Sequence, residues 1–307
     1  MVHGIDYDQT FAPVANMPTL RLFLWICAYF DLEVSNADVS TAYLNAPSDK
    51  DIFMKCDKDL LQKLKELKKT LHGNERHRVN RLIKRLMKGD SLLLLKAIYG
   101  SKSAGRQWFL DIDAFLKSIG FVSNKAAPCF YSIIIDKDFV ILLLYVDDII
   151  IGATTTALKV RYYDLLRKKY KMTFNEILTD FLNIALKRDR VKRQYHMSQA
   201  VYIEDFHETF QLPRDSSVQT PFTENLRIRS TERDDITAAQ RAYVRNFPFR
   251  KSIGVVLYCN ICTMPGISYA VSSLAKFTNN PAFDACKELI LLCKFMYNDR
   301  HRCTVML

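Results

Sequence analysis

Residues 129–152 read CFYSIIIDKDFVILLLYVDDIIIG, and this stretch decides the fold. Two apolar, β-rich runs, Cys129 to Ile135 and Phe139 to Val146, are separated only by Asp136, Lys137 and Asp138, which is a hairpin signal. A third run, Ile149 to Ile151, follows two residues after Val146 and ends at Gly152. Asp147 and Asp148 are therefore expected to form a tight turn between two strands. Such turns are usually built from Gly or Asn, which tolerate φ > 0, so two carboxylates at the tip of so apolar a hairpin are unusual. The pattern predicts an antiparallel sheet with helices packed on one face, an α+β fold.

Working outward, residues 16–30 carry apolar groups too densely for an exposed helix, and Pro18 suits a first turn, so a largely buried helix is expected. It leads into LEVSNADV, where Val34, Asn36 and Asp38 share one face of a strand that ends near Asp38. Downstream of the basic stretch, Trp108, Ile112, Phe115, Leu116 and Ile119 fall at helical spacing and Gly120 stands where it would stop the helix. Beyond the hairpin the pattern predicts a helix near Leu158 to Tyr170, strands around Phe181 to Lys187 and Gln194 to Ser198, and a helix from Gln199 to Phe210. A connector, Leu212 to Asn225, reads as a lobe boundary, and 236–307 is helical in pattern.

The 307 residues hold 44 Lys and Arg against 33 Asp and Glu, a net charge of +11, with 49% hydrophobic residues. That composition excludes an intrinsically disordered chain, and no run of 18 apolar residues exists to cross a bilayer. The amino terminus, MVHGIDYDQTFAPV, lacks the basic and apolar regions of a secretion signal. The scattered cysteines, including Cys303, are expected to be buried thiols, and the lone pair Cys259 and Cys262 lacks the second pair of a zinc site. The excess of positive charge points to a polyanion as partner. Much of it lies in residues 56–91, where eleven basic residues face five acidic ones on two helical periodicities broken near Gly73 and Asn74. That basic helical hairpin is either a nucleic-acid contact or a solvated pair of helices. The same two alternatives hold for the run Lys187, Arg188, Arg190, Lys192 and Arg193.

If the strand ending at Asp38 lies beside the hairpin, three carboxylates converge. Carboxylates about 4 Å apart repel by roughly 4 kcal/mol at an effective dielectric of 20, so such a cluster stays ionised only with cations between them. Hard oxygen ligands suit magnesium, and two such ions support in-line phosphoryl displacement. This is nucleotidyl-transfer chemistry.

Eight segments then carry a resemblance: TFAPVA (10–15), DVSTAYLNA (38–46), AIYGSKSAGRQW (97–108), PCFYS (128–132), LLLYVDDIIIGA (142–153), FLNI (181–184), MSQAVYI (197–203) and SIGVVLYC (252–259). In order and spacing the chain resembles the reverse transcriptases of copia-type LTR retrotransposons. The resemblance implies a right-hand polymerase: 1–97 as partial fingers with the first palm motif, 98–160 as palm with the YVDD hairpin, 161–225 as palm end and thumb-like region, and 226–307 as a helical thumb or connection region. It implies that Asp38, Asp147 and Asp148 are catalytic and, with the backbone of Val39, bind two Mg²⁺ ions, Mn²⁺ serving as substitute. Tyr43 would lie under the incoming deoxynucleotide sugar and exclude a 2′-hydroxyl, with Ser103 and Lys102 beside the nucleotide. Tyr145, Arg106, Lys187 and Arg188 would contact the nucleic acid.

Implied partners are an RNA or DNA template with primer and deoxynucleoside triphosphates, with no membrane, and with integrase and RNase H parts of a polyprotein formerly flanking the chain. The work would take place in cytoplasmic particles or the nucleus. The chain departs from the family at Ser103, usually Gln; at Gly105, often Pro; at Asn183, usually Gly; and at Met264 and Gly266, where a base and an acid are typical. Residues 56–91 look like an insertion or a diverged stretch, and the expected chain is the polymerase portion of a truncated element. Two other readings stay open: an inactive nucleic-acid-binding remnant, and a metal-dependent phosphodiesterase on the same carboxylates.

Overall fold

A computed structural model describes residues 1–224, 228, 236–301 and 304–306; Asn225 at the end of the expected connector, and Cys303, lie outside the described residues. Along the chain run α1 (Met17–Tyr29), β1 (Glu33–Val39), β2 (Pro47–Lys55), α2 (Lys58–Thr70), α3 (Gly73–Leu86), β3 (Ser91–Lys96), α4 (Ala104–Ser118), β4 (Val122–Asn124), β5 (Ala127–Ile135), β6 (Asp138–Tyr145) and β7 (Asp148–Ala153). There follow α5 (Thr156–Lys169), β8 (Met172–Asn175), β9 (Asp180–Phe181), β10 (Ile184–Asp189), β11 (Gln194–Ser198), α6 (Ala200–Thr209), α7 (Ala238–Asn246), α8 (Phe249–Cys262), α9 (Ser268–Ala275), α10 (Phe283–Asp299) and β12 (Thr304–Met306). Helices and antiparallel strands are intermixed, as the α+β expectation has it. The described chain forms two compact units, one of Met1–Ala15, Asn36–Ile151 and Thr156–Phe174, the other of Asn16–Ser35, Gly152–Thr155 and Asn175–Leu307. Each unit is assembled from segments distant in sequence.

The first unit is built around a six-stranded sheet in the order β4-β5-β6-β7-β1-β8. β5 and β6 pair antiparallel with Phe130 opposite Leu143 and Ser132 opposite Ile141, so the hairpin read from the sequence is present. Leu142, Leu143, Ile149, Ile150 and Ile151 are fully buried, which is why these strands read as continuous apolar runs rather than as alternation. Helix α4 buries Trp108, Ile112 and Leu116, and Asp113 accepts the Tyr131 hydroxyl at 3.0 Å, tying helix to sheet. Gly120, at φ +99°, ends α4: its N–H donates to Lys117 and that of Phe121 to Leu116, both at 3.1 Å. This pair of bonds is a Schellman motif.

The basic segment folds as the expected helical pair, and it is carried on a two-stranded stalk that the sequence pattern did not reveal. β2 and β3 pair antiparallel, with Phe53 opposite Leu93 and Lys55 opposite Ser91. Between them, Asp57 caps α2 by accepting the Leu60 N–H at 2.7 Å, and Lys68 reaches Asn80 of α3 at 2.9 Å. Ile83 and Leu86 are the buried residues of the two helices.

The second unit has a helical core in which Val256, Cys259, Leu274, Leu289, Leu292 and Met296 are solvent-excluded. Its sheet has the order β12-β11-β10-β9. Helix α1 belongs to it, opened by Asn16, whose side chain accepts the Thr19 N–H at 2.9 Å. Only one side of α1 is buried: Leu20, Phe23, Leu24 and Cys27 face inward while Leu22, Trp25 and Tyr29 are exposed, which corrects the expectation of a largely buried helix. Cys259 and Cys262 are buried thiols, and burial raises both. No group of three His, Cys, Asp or Glu side chains able to hold a metal occurs among the described residues.

Candidate active site

The turn joining β6 to β7 is one residue earlier than its sequence suggests. It is made by Val146 and Asp147, and Asp148 is already the first residue of β7. Val146 takes φ +56°, a conformation a β-branched residue rarely adopts, which costs on the order of 1–3 kcal/mol. A tertiary bond holds it there: the indole Nε1–H of buried Trp108 donates to the Val146 carbonyl at 2.6 Å. Gly or Asn is dispensed with because the strain is offset from outside the turn.

The neighbouring strand β1 brings in the first carboxylate. Val39 N–H donates to the Asp147 carbonyl at 2.8 Å, fixing Asp38 beside the turn. Asp38 is exposed, and its carboxyl is held above the ordinary aspartate value, first by desolvation and then by the negative charge of Asp147. The two side chains thus repel one another at a solvent-accessible strand end. Asp148 is half-buried, and the three carboxylates do not form a ready-made ligand group. Two neighbouring hard-oxygen donors at a solvent-accessible strand end suit a magnesium ion, which binds through one or two carboxylates and completes its shell with water and phosphate oxygens.

Just past β1 the chain turns sharply. Thr41 takes φ +52°, and the Asn45 side chain donates to the carbonyls of Ser40, Thr41 and Ala42 at 3.2–3.4 Å, closing the short helical turn Ala42–Asn45. That turn presents Tyr43, half-buried, with its ring 4.4 Å from that of Tyr99. The phenol is raised by desolvation, by Asp147 and by Tyr99, in that order. Asp38, Asp147 and Tyr43 are therefore one electrostatic group. The Tyr43 hydroxyl also lies against Gly105, 3.8 Å from where a Cβ would stand.

Other expected residues are placed differently. Lys102 is exposed at the start of α4, and Arg106 donates to the Phe11 carbonyl at 3.3 Å. Ser103 is 2% exposed and its hydroxyl is directed to Asp49 at 3.4 Å, so its oxygen already has a partner. Tyr145 is the half-buried last residue of β6. Lys187 is exposed on β10. Arg188 points inward, donating to the carbonyls of Leu32 at 2.5 Å and Cys27 at 3.1 Å and to Asp31 at 2.7 Å. Its terminal nitrogens are thereby engaged with the Cys27 carbonyl in the last turn of α1 and with Asp31 and Leu32 just beyond it. Asn183 takes φ +58° in the β9–β10 turn, where Asn is the next-best residue to Gly. Sequence reasoning missed the roles of Trp108 and Tyr99; Trp108 stood out only as one apolar position of a helix.

Residues 1–79 and 84–224 match the family described as reverse transcriptase (RNA-dependent DNA polymerase), and these stretches take in most of the basic segment at 56–91. The chain is 30% identical over 279 residues, 91% of its length, to the retrovirus-related Pol polyprotein from transposon TNT 1-94 of Nicotiana tabacum. It is 26% identical over 95% of its length to the Pol polyprotein from transposon RE1 of Arabidopsis thaliana. In these two the match occupies 19% and 18% of the relative, so the chain spans about one fifth of their length. A putative transposon Ty5-1 protein of Saccharomyces cerevisiae is 24% identical over 87% of the chain and 77% of its own length. With well over half of its residues inside the family match, the chain belongs to the reverse transcriptase (RNA-dependent DNA polymerase) family, as a copia-type Pol polyprotein segment.

Proposed function

We propose that this chain is the polymerase segment of a copia-type element and extends a primer 3′-hydroxyl with deoxynucleoside triphosphates on an RNA or DNA template. One observation carries the reading: the Val39 N–H donates to the Asp147 carbonyl at 2.8 Å, which sets Asp38 on β1 beside the turn that carries Asp147. In this reading the six-stranded sheet is the palm, the segments before it belong to the fingers, and the helices of the second unit supply thumb and connection. Asp38, Asp147, Asp148 and the backbone of Val39 are the residues that would hold two magnesium ions. Bound there, the ions would supply activation of the attacking hydroxyl and neutralise charge on the leaving pyrophosphate.

The chain's own residues orient and exclude. The Trp108 bond fixes the backbone that carries Asp147. The Tyr43 and Tyr99 rings, tilted with centroids 4.4 Å apart, would form a floor for a deoxyribose, where a 2′-hydroxyl would meet the Tyr43 ring. In this reading Lys102 and Arg106 at the start of α4 would meet phosphates, and Tyr145 and Lys187 the nucleic-acid strands. A second reading, an inactive nucleic-acid-binding chain, is favoured by one feature, the engagement of Ser103 with Asp49. Primer extension on poly(rA)/oligo(dT) with magnesium or manganese, comparing the chain with Asp147→Asn, separates them. Extension lost in the variant supports the polymerase; binding without extension in both proteins supports the inactive chain.

A further inference from the structure

In the first unit, β2 and β3 form a ribbon of two strands only, so each has one edge with no strand beside it. The two edges differ in kind. β2 opens on Pro47, carries Asp49, Lys50 and Asp51 in succession, and has its register broken between Pro47 and Ile52. Proline, charge and a bulge are the devices by which edge strands avoid pairing with other chains. β3 has none of them over residues 92–95, which are four consecutive leucines, and its register with β2 is continuous from Ser91 to Leu94. Leu93 and Leu95 are exposed, and among the described residues the backbone of residues 92–95 makes no hydrogen bond outside the ribbon. An exposed, apolar, unblunted edge of this kind is a template for another strand.

The residues along that edge are complementary to themselves. When two copies of β3 run antiparallel about a two-fold axis through Leu93, Leu92 lies opposite the partner's Leu94, Ser91 opposite the partner's Leu95, and Asp90 opposite the partner's Lys96. An axis through Leu94 would instead set Lys96 against a leucine, and one through Leu92 would do the same to Asp90. Charge complementarity therefore selects Leu93. Both charges are available: Lys96 is exposed and has no ion pair among the described residues, and Asp90 is held only by an exposed bridge to Arg85 at 2.7 Å, a kind of pair that contributes little. The antiparallel sense also sends the basic α2–α3 pairs of two +11 chains to opposite ends of the joined sheet, where a parallel sense would set them side by side.

We infer that β3 is a self-association edge: a second copy of this chain pairs with it antiparallel about Leu93, making a four-stranded sheet in the order β2-β3-β3-β2 with an Asp90–Lys96 ion pair between copies at each end of the junction. The blunted edge of β2 then faces outward on both sides, so assembly stops at two copies. Six residues a side make a small interface, so the expected dimer is a weak one, with a dissociation constant on the order of 1–100 μM. This inference is independent of the polymerase reading, and its test involves no primer extension.

The test is sedimentation equilibrium of the full chain over a concentration range that brackets that constant, from about 1 to 200 μM. Leu93→Lys sets like charges against each other on the axis and should raise the dissociation constant about tenfold or more. Lys96→Asp and Asp90→Lys, each alone, oppose like charges twice in every dimer and should each weaken it by about tenfold. The double variant Asp90→Lys/Lys96→Asp exchanges the two charges and should return to within about twofold of the parent, a rescue that mere loss of the Arg85 bridge would not give. Should Leu93→Lys fold poorly by circular dichroism, the charge variants, at exposed positions, carry the test by themselves. A parent chain that stays monomeric throughout the range overturns the inference. Single variants that dimerise like the parent, or a double variant as weak as the singles, also overturn it, because the interface then lies elsewhere or in another register. Assembly that continues past two copies overturns the closed sheet.

Discussion

The indole Nε1 of Trp108 lies 2.6 Å from the carbonyl oxygen of Val146, and this bond joins the buried face of α4 to the strained turn that carries Asp147. Trp108→Phe keeps the bulk and removes the donor, leaving a carbonyl unsatisfied. We expect a loss of about 1–3 kcal/mol in urea denaturation. Primer extension should fall by about tenfold or more through kcat, because misplacing a reacting group by about 1 Å can cost on the order of 100-fold. A variant that loses stability but extends primers at the parent rate would show that the bond is structural only.

Asp38 and Asp147 oppose each other, so removing one charge should favour the fold while ending catalysis. Asp38 is raised, so its ionised form is disfavoured in the folded chain and that penalty is present at neutral pH and relieved as pH falls. Asp147→Asn should therefore be as stable as the parent at pH 7 or more so, by about 0.5 kcal/mol or less because Asp38 is solvent-exposed. The gain should vanish on acidification as Asp38 takes up its proton. Urea midpoints of both proteins across that range check the sign.

His207 gives a pH dependence of opposite sense. It is buried, its Nε2 lies 2.9 Å from the Cys293 carbonyl, and its Nδ1 has no partner among the described residues. Burial, with Arg214 and Arg300 adding to it, holds the imidazole below its ordinary value of 6.5. Below that value the unfolded chain binds a proton that the folded chain refuses, so stability falls as pH drops. Melting temperatures from pH 8 to pH 5 should show the advantage of the parent over His207→Gln shrinking with acidity.

Gly120 has two reasons to be glycine. Its φ is +99°, and a Cβ there would stand 2.8 Å from the Ile133 Cδ1 atom. Gly120→Ala should cost about 1–2 kcal/mol, part of it backbone strain and part displacement of Ile133. Gly105→Ala makes the contrast: its φ is ordinary and the nearest atoms lie 3.8 and 3.9 Å away, so the same change in the first turn of α4 should stabilise by about 0.5–1 kcal/mol. Guanidinium denaturation of the two variants side by side reads both signs.

Much of this architecture is legible in the residues. Apolar runs punctuated by short polar breaks announce β5, β6 and β7, and Gly120 announces the end of α4, because strand burial and a left-handed helix stop are local demands. The side-by-side placement of Asp38 and Asp147 was conditional in the sequence, since strand order is set by packing rather than by periodicity. What stayed hidden is tertiary. The turn register depends on a bond from Trp108, thirty-eight residues away. The inward course of Arg188 depends on carbonyls 156 and 161 residues distant. β2 and β3 were missed because exposure alternates along them while residue type does not: apolar side chains such as Phe53 and Leu93 also take the exposed positions.

That stalk has a consequence for how the chain can vary in length. Lys55 and Ser91 are already paired, so everything between them is one loop whose ends are fixed by a ladder outside it. Closing a loop costs only about 0.6 kcal/mol more for each doubling of its length. Shortening or extending residues 56–90 should therefore leave the folding free energy of the paired strands almost untouched, making this the position where related chains can gain or shed whole helices without renegotiating the core.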